Sequence, residues 1–262
     1  MNHIPSHTQI LTVIPARYGS TRFPGKPLAD MNGKPMIVRV LEQAHKAHYL
    51  ERILVATDNE QIMNAVQEAG YEAIMTRSDH PSGTDRIWEV AQQFPQYPYV
   101  INIQGDEPAI EPEVLDELAK RLIDTPEADL VTPITPIPHQ PQTEQTDPLH
   151  DPNTVKAVIA NDGKALYFSR SPIPYTRNQN ATNPPYSFYR HIGLYGYQRH
   201  ALEKMTQWPP SPLEQTEQLE QLRALENGLS IYTLTTPYSP IGVDTPEDLI
   251  KLNTLLYNQP TN

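Results

Sequence analysis

Leu11-Thr12-Val13-Ile14-Pro15-Ala16-Arg17-Tyr18-Gly19-Ser20-Thr21-Arg22-Phe23-Pro24-Gly25-Lys26-Pro27 is the stretch from which the rest of the chain is read. Its apolar start has the length and composition of a buried strand. The strand empties into a loop carrying Gly19, Gly25, Arg17, Arg22 and Lys26. After Pro35, Met36, Val40 and Ala44, with Ile37 and Leu41, recur four apart and predict a helix. A strand, a glycine- and cation-rich loop and a helix make an anion cradle: glycine lets the backbone approach, its N–H groups point inward, and Arg and Lys neutralise charge. The loop is not a P-loop. That motif puts four residues between its first Gly and the Gly-Lys and follows them with Ser or Thr, whereas here five separate Gly19 from Gly25, and Pro27 follows Lys26. A dinucleotide fingerprint is absent as well.

Three cations at one strand end stand out in a chain of 262 residues with a formal net charge of -11. The acidic balance argues against a nucleic-acid binder and for positive charge concentrated at one ligand site. With no cysteine in the chain, disulfides, thiolate metal sites and cysteine nucleophiles are excluded. Met1–Gln9 has no signal-peptide pattern, and no apolar run approaches the ~20 residues of a membrane span. A cytoplasmic protein with no membrane partner is expected. The 28 prolines, about twice the usual ~5 %, fit a chain of shaped loops better than a helical bundle.

Working outward, candidate strands Leu11–Ile14, Arg52–Ala56, Glu72–Met75, Tyr99–Ile103 and Leu130–Thr132 alternate with candidate helices Met36–Ala47, Glu60–Ala69, Thr84–Phe94 and Glu111–Asp124. That alternation predicts an α/β fold with a mostly parallel sheet and helices on both faces. Ser82-Gly83-Thr84-Asp85 has capping-box spacing and predicts a helix start. Thr57-Asp58 reads as the cap of the next helix. Pro133–Pro152 reads as loop, and Val155–Ile159 with Ala165–Phe168 as a hairpin turning at Asn161-Asp162-Gly163. Asn178–Pro185 reads as a polar, mobile segment. A strand Ile192–Tyr197, helices near Ala201–Gln207 and through Leu219, Leu222 and Leu225, and a strand Ile231–Leu234 follow. Ser211-Pro212-Leu213-Glu214 and Thr245-Pro246-Glu247-Asp248 each read as a helix entry. The whole reads as one domain, 1–262, with an insert of hairpin and loops at about 133–189.

Ligands of such folds sit at the carboxyl ends of the strands, and two acids stand there. Asp106 follows Gln104-Gly105, and Asp244 follows Gly242-Val243. Mg²⁺ is commonly held by one or two carboxylates plus substrate phosphates, and these two suit that role if the fold brings them together. Each also has a plainer reading, as a turn residue and as a helix-entry residue. His191 opens an apolar strand among aromatics, where a core histidine is the plainer reading. No Gly-x-Ser-x-Gly elbow and no His-Glu-x-x-His pair is present.

The blocks resemble one family in order. Pro15-Ala16-Arg17, Ser20–Pro27, Met75–Arg86, Gln104-Gly105-Asp106-Glu107-Pro108, Ala165–Arg170, Arg190-His191-Ile192-Gly193-Leu194-Tyr195-Gly196-Tyr197, Leu219–Arg223 and Gly242–Asp248 are similar to those of the CMP-Kdo synthetases. The resemblance spans roughly Ile10 to Leu256 and implies a nucleotide-diphospho-sugar transferase fold. It implies an Mg²⁺-dependent cytidylyltransferase that joins CMP from CTP to Kdo (3-deoxy-manno-octulosonate), releases pyrophosphate, serves lipopolysaccharide biosynthesis and works as a homodimer. By the same resemblance Arg17, Arg22 and Lys26 hold the triphosphate, and Arg77, Ser82 and Gly83 lie at the cytosine. Asp106 and Asp244 take the metal and, with Lys26, form the catalytic set. Gln104, Arg170, His191, Tyr195, Glu220 and Gln221 meet the sugar, where a carboxylate wants a cation such as Arg170. An amino-substituted Kdo, a sialic acid, or a nucleotide-binding regulator without turnover are the competing readings.

Overall fold

The computed structural model describes residues 9–19, 23–137, 147–177 and 186–257. Their contacts divide the chain into two compact units, Met1–Lys120 with Pro240–Asn262, and Arg121–Ser239. The first unit begins with β1 (Ile10–Ala16), α1 (Met36–Ala44), β2 (Arg52–Thr57), α2 (Glu60–Glu68), β3 (Ala73–Met75), α3 (Gly83–Gln92) and β4 (Tyr99–Asn102). Helix α4 (Pro112–Asp124) crosses the boundary. The second unit holds β5 (Leu130–Pro136), β6 (Lys156–Ile159), β7 (Ala165–Ser169), β8 (Tyr189–His191), β9 (Tyr195–Gln198), α5 (Arg199–Gln207), α6 (Pro212–Glu217), α7 (Gln221–Glu226) and β10 (Ile231–Thr235). Helix α8 (Pro246–Tyr257) belongs to the first unit.

In the first unit the strands lie in the order β3-β2-β1-β4, every pair parallel. Ile10, Leu11, Val13 and Ile14 of β1 and Leu54, Val55 and Ala56 of β2 are fully buried, the continuous apolar pattern of strands covered on both faces. Helix α1 buries the predicted stripe Met36, Ile37, Val40, Leu41 and Ala44. The chain runs outward from β1 through β2 to β3 and then returns to the other side of β1 as β4. Strand order therefore reverses at β1/β4, the switch point where open α/β sheets leave a crevice.

The second unit is built differently. Strand β10 runs parallel to β5, whereas β8 and β9 pair antiparallel with β5, and β6 pairs antiparallel with β7 and β8. The expectation of a mostly parallel sheet thus holds for the first unit and fails for the second, because the second joins neighbouring strands through hairpin-type returns. The β6–β7 hairpin forms as read, with Gly163 at φ 86 in the turn. Strand β5 runs on through Pro133 to Pro136, where a loop was expected. Pro133 lacks a donor there but keeps its carbonyl in use, accepting from Ile192 N–H at 3.0 Å. The expected strand Ile192–Tyr197 is instead two strands, β8 ending at His191 and β9 starting at Tyr195, broken around Gly193. The helix read through Leu219, Leu222 and Leu225 starts only at Gln221, since Gln218 takes a left-handed φ of 54 after α6. The two contact units meet at 120/121 and 239/240, within the span 1–262 read as one domain with an insert at about 133–189. Residues 138–146 and the Asn178–Pro185 segment lie outside the described residues. Among the described residues no helix is long and apolar enough to cross a membrane.

Candidate active site

At the switch point of the first unit a cleft of ≈ 360 Å³ is lined by Arg17, Lys26, His80, Ser82, Gly83, Arg86, Gln104, Gly105, Asp106 and Asp244, with Pro15, Ala16, Pro27 and Pro81. The volume falls in the range of small-ligand sites, ~300–1,000 Å³. Each wall is placed by a local device. Strand β1 ends at Ala16 and leaves Arg17 exposed, with no ion pair among the described residues. Gly25 adopts φ 70 beneath the Tyr18 ring, donates to Tyr18 O at 3.0 Å, and starts a short 3-10 turn, Lys26–Leu28. Gly105 packs so tightly on β1 that an added Cβ would stand 2.9 Å from Pro15 O. The buried cluster Met31, Met36, Val243, Leu249 and Leu252 pins the segment that presents Asp244.

Lys26 is the hub. Its Nζ donates to Asp106 Oδ2 at 2.7 Å, to Val243 O at 2.8 Å and to Asp244 Oδ1 at 3.4 Å. Val243 N–H in turn donates to Asp106 O at 3.0 Å, closing the ring of contacts. Asp106 and Asp244, 138 residues apart in sequence, are thus held within reach of one ammonium group. Among the described residues no set of three or more His, Asp or Glu is grouped for a metal. Two carboxylates converging on one cation are the donor set Mg²⁺ uses together with phosphate oxygens, so these residues fit that ion.

The loop from β3 to α3 forms another wall. Ser82 caps α3 as read: its Oγ accepts from Asp85 N–H at 3.2 Å and donates to Asp85 Oδ2 at 2.7 Å. His80 and Arg86 also line the cleft and were not singled out in the sequence. Arg86 is buried and donates to Asp58 Oδ2 at 2.7 Å and to Thr76 Oγ1 at 2.5 Å. Asp58 is therefore an ion-pair partner, and the cap of α2 is Asn59, whose side chain accepts from Gln61 and Ile62 N–H. Spacing offered one signal, because Ser82 and Arg86 are four apart on one helix face. His80 pairs with Glu89. Burial raises the Glu89 carboxyl, but hydrogen bonds from His80 and from Arg77 N–H outweigh it and hold the group below its ordinary value. Arg77 is not on the cleft wall; its guanidinium is 68 % exposed and gripped by both Asp79 oxygens at 2.9 and 2.7 Å. Arg22 lies outside the described residues.

Of the residues assigned to the sugar, Gln104 is on this cleft wall. Arg170, His191, Tyr195, Glu220 and Gln221 belong to the second unit. There the His191 ring lies 5.4 Å from Tyr195 and packs edge-on to Phe168 at 5.0 Å. Burial, then the charge of Arg190, pushes the His191 imidazole down to about 3, so it is neutral at ordinary pH. Thr132 Oγ1 lies 2.9 Å from His191 Nε2, 3.1 Å from Ile192 O and 2.8 Å from Leu194 O. A hydroxyl whose one proton goes to a carbonyl accepts from His191 Nε2–H, which leaves Nδ1 as the ring's acceptor. Burial, then Tyr197 and Glu220, raises the Tyr195 phenol well above its ordinary range. Gln221 is 4 % exposed, and its Nε2 has no acceptor among the described residues. Arg170 donates to three backbone carbonyls, Glu217 O at 2.7 Å, Pro152 O at 2.9 Å and Gln218 O at 3.3 Å, and forms no ion pair among the described residues. Its guanidinium is thus positioned by backbone carbonyls alone among the described residues.

A family model for cytidylyltransferases matches residues 11–231. The 3-deoxy-manno-octulosonate cytidylyltransferase of Parabacteroides distasonis is 46 % identical over 254 residues, covering 96 % of this chain and 99 % of that relative. The enzyme of that name from Polynucleobacter asymbioticus is 44 % identical over 261 residues, covering 98 % and 100 %. A solved structure of CMP:2-keto-3-deoxy-manno-octonic acid synthetase complexed with CTP superposes with a TM-score of 0.87 at 42 % identity, covering 95 % of this chain and 98 % of that one. A cytidylyltransferase structure from Leptospira borgpetersenii, 15 % identical with a TM-score of 0.63 over 97 % and 89 %, shares the fold.

Proposed function

The chain belongs to the cytidylyltransferase family and, within it, to the 3-deoxy-manno-octulosonate cytidylyltransferases, and from that premise we propose how its residues divide the reaction. The enzyme transfers CMP from CTP to the anomeric hydroxyl of Kdo, giving CMP-Kdo and pyrophosphate for lipopolysaccharide biosynthesis. The observation that carries the assignment of roles is the convergence of Lys26 on Asp106 and Asp244 on a cleft wall shared with the exposed Arg17.

Arg17 and Lys26 neutralise the triphosphate and hold it in line for attack, so that the protein's contribution is mainly orientation and charge. Asp106 and Asp244 would hold Mg²⁺. When bound, that ion supplies charge neutralisation at the transferred phosphoryl group. Ser82 and Gly83, at the start of α3, meet the base, and Arg86 holds that wall through Asp58. Arg77 is left out of this set, because Asp79 already takes its guanidinium.

On the sugar side, Arg170 meets the carboxylate, its guanidinium held by backbone carbonyls and in no ion pair among the described residues. The neutral imidazole of His191, the Tyr195 phenol, Glu220 and the Gln221 amide, whose Nε2 has no acceptor among the described residues, meet hydroxyls; Gln104 is given to the sugar by the family resemblance alone. The division is tested by crossing Michaelis constants. Arg170→Ala raises KM for Kdo and spares KM for CTP, whereas Arg17→Ala does the reverse. An effect of Arg170→Ala confined to CTP contradicts the division.

The cysteine-free composition suits a reducing compartment, the cytoplasm. A homodimer is implied by the family resemblance, and sedimentation of the full chain tests it.

A further inference from the structure

Lys156 is fully buried on β6, and nothing in the reaction calls for it. Its Nζ donates to Asp151 O at 3.0 Å, to Thr154 O at 2.6 Å and to Arg170 O. All three ammonium protons are therefore spent on backbone carbonyls. A buried charge of this kind is expensive unless fully hydrogen-bonded. A neutral side chain would pack the site at less cost, so the charge points to a positional task.

The three carbonyls identify that task. Two belong to the ends of the turn 151–154, which Asp151 closes by accepting from Asn153 N–H at 2.9 Å and from Thr154 Oγ1 at 3.3 Å. The third belongs to Arg170 itself. The Arg170 guanidinium reaches back into the middle of the same turn, to Pro152 O at 2.9 Å. Its other end is fixed by Glu217, whose carboxylate accepts from Ser169 Oγ at 2.6 Å and from Arg170 N–H at 2.9 Å. Lys156 thus grips both the turn that orients the guanidinium and the backbone that carries it.

We propose that Lys156 is the positioning residue for Arg170, fixing its guanidinium fork for the carboxylate of the acceptor sugar. The proposal rests on the reading of Arg170 as the carboxylate-binding cation. An angstrom-scale displacement of such a group weakens its action by about 10-fold to 100-fold.

The test is a double-mutant cycle on the full-length enzyme with Lys156→Met, Arg170→Ala and the pair, measuring KM for Kdo, KM for CTP and thermal midpoint. Lys156→Met is expected to raise KM for Kdo about 10-fold, to leave KM for CTP within about twofold, and to add nothing in the Arg170→Ala background. Lys156→Arg, which keeps charge and donors, is expected to restore part of the loss and serves in place of Lys156→Met if that variant does not fold. Additive effects, or equal rises in both Michaelis constants, overturn the proposal. If Arg170→Ala itself leaves KM for Kdo unchanged, the reading of Arg170 fails, and the proposal with it.

Discussion

Lys26 Nζ lies 2.7 Å from Asp106 Oδ2 while the same atom reaches Asp244 Oδ1 at 3.4 Å, so one ammonium ties a strand-end acid to a helix-entry acid. The tie is a matter of placement, since Gly105, the 3-10 turn and the Val243 cluster each fix one partner. Replacing Lys26 by Met is expected to lower kcat by about 10²-fold or more, the scale of losing one charge-stabilising donor, with the fold retained. Pyrophosphate release alongside a thermal melt checks it; near-normal turnover removes Lys26 from the catalytic set.

Gly105 is predicted to accept no side chain. A Cβ at this position meets Pro15 O at 2.9 Å, a backbone atom that cannot rotate away. Gly105→Ala is expected to destabilise the protein by about 1–3 kcal/mol, as overpacking does, and to weaken CTP binding because β1 and Asp106 move apart. Denaturant unfolding and CTP titration read the two effects.

Arg86 and Asp58 form a nearly buried ion pair, with side chains 5 % and 16 % exposed. Removing the cation alone strands the acid. Arg86→Met is expected to cost about 3–5 kcal/mol, and Asp58→Asn together with Arg86→Met to recover part of it. A double-mutant cycle by thermal unfolding decides; a single-variant loss below 1 kcal/mol would place the pair in solvent.

The Asp58–Arg86 pair also shows where sequence reading stops. The cationic loop, the strand-end acids Asp106 and Asp244 and the caps at Ser82, Ser211 and Thr245 were legible, because a turn residue or a capping hydroxyl carries its own local signature. Asp58 and Arg86, 28 residues apart, carry none, and Asp58 passed for a cap beside Asn59. His80 with Glu89 was hidden for the same reason. Arg77 was given to the cytosine by resemblance alone, and its exposed ion pair with Asp79 carried no signal in the sequence. Strand periodicity ran through Gly193 although the backbone breaks there, and an α-helix across residues 120 and 121 left no trace of the unit boundary.

His191 gives a pH dependence with a definite sign. Its folded pKa of about 3 lies below the ordinary imidazole value of 6.5, so the unfolded chain binds a proton that the folded one refuses. The stability it contributes is complete above pH 6.5 and is lost as pH falls through the window down to about 3, at up to about 1.4 kcal/mol per pH unit. His191→Asn is expected to flatten that acid limb in urea unfolding at pH 4.5–6.5. An unchanged slope would mean that the ring is charged in the folded protein.

The most direct measurement is pyrophosphate release from CTP and Mg²⁺ with Kdo, its 8-amino analogue and sialic acid offered separately. The account predicts release with Kdo, at a rate that Asp106→Ala and Asp244→Ala each abolish while the thermal midpoint is retained. Silence with Kdo in folded protein that still binds CTP would contradict it, and release only with another keto sugar would overturn the sugar-side residues while leaving the phosphate-side ones in place.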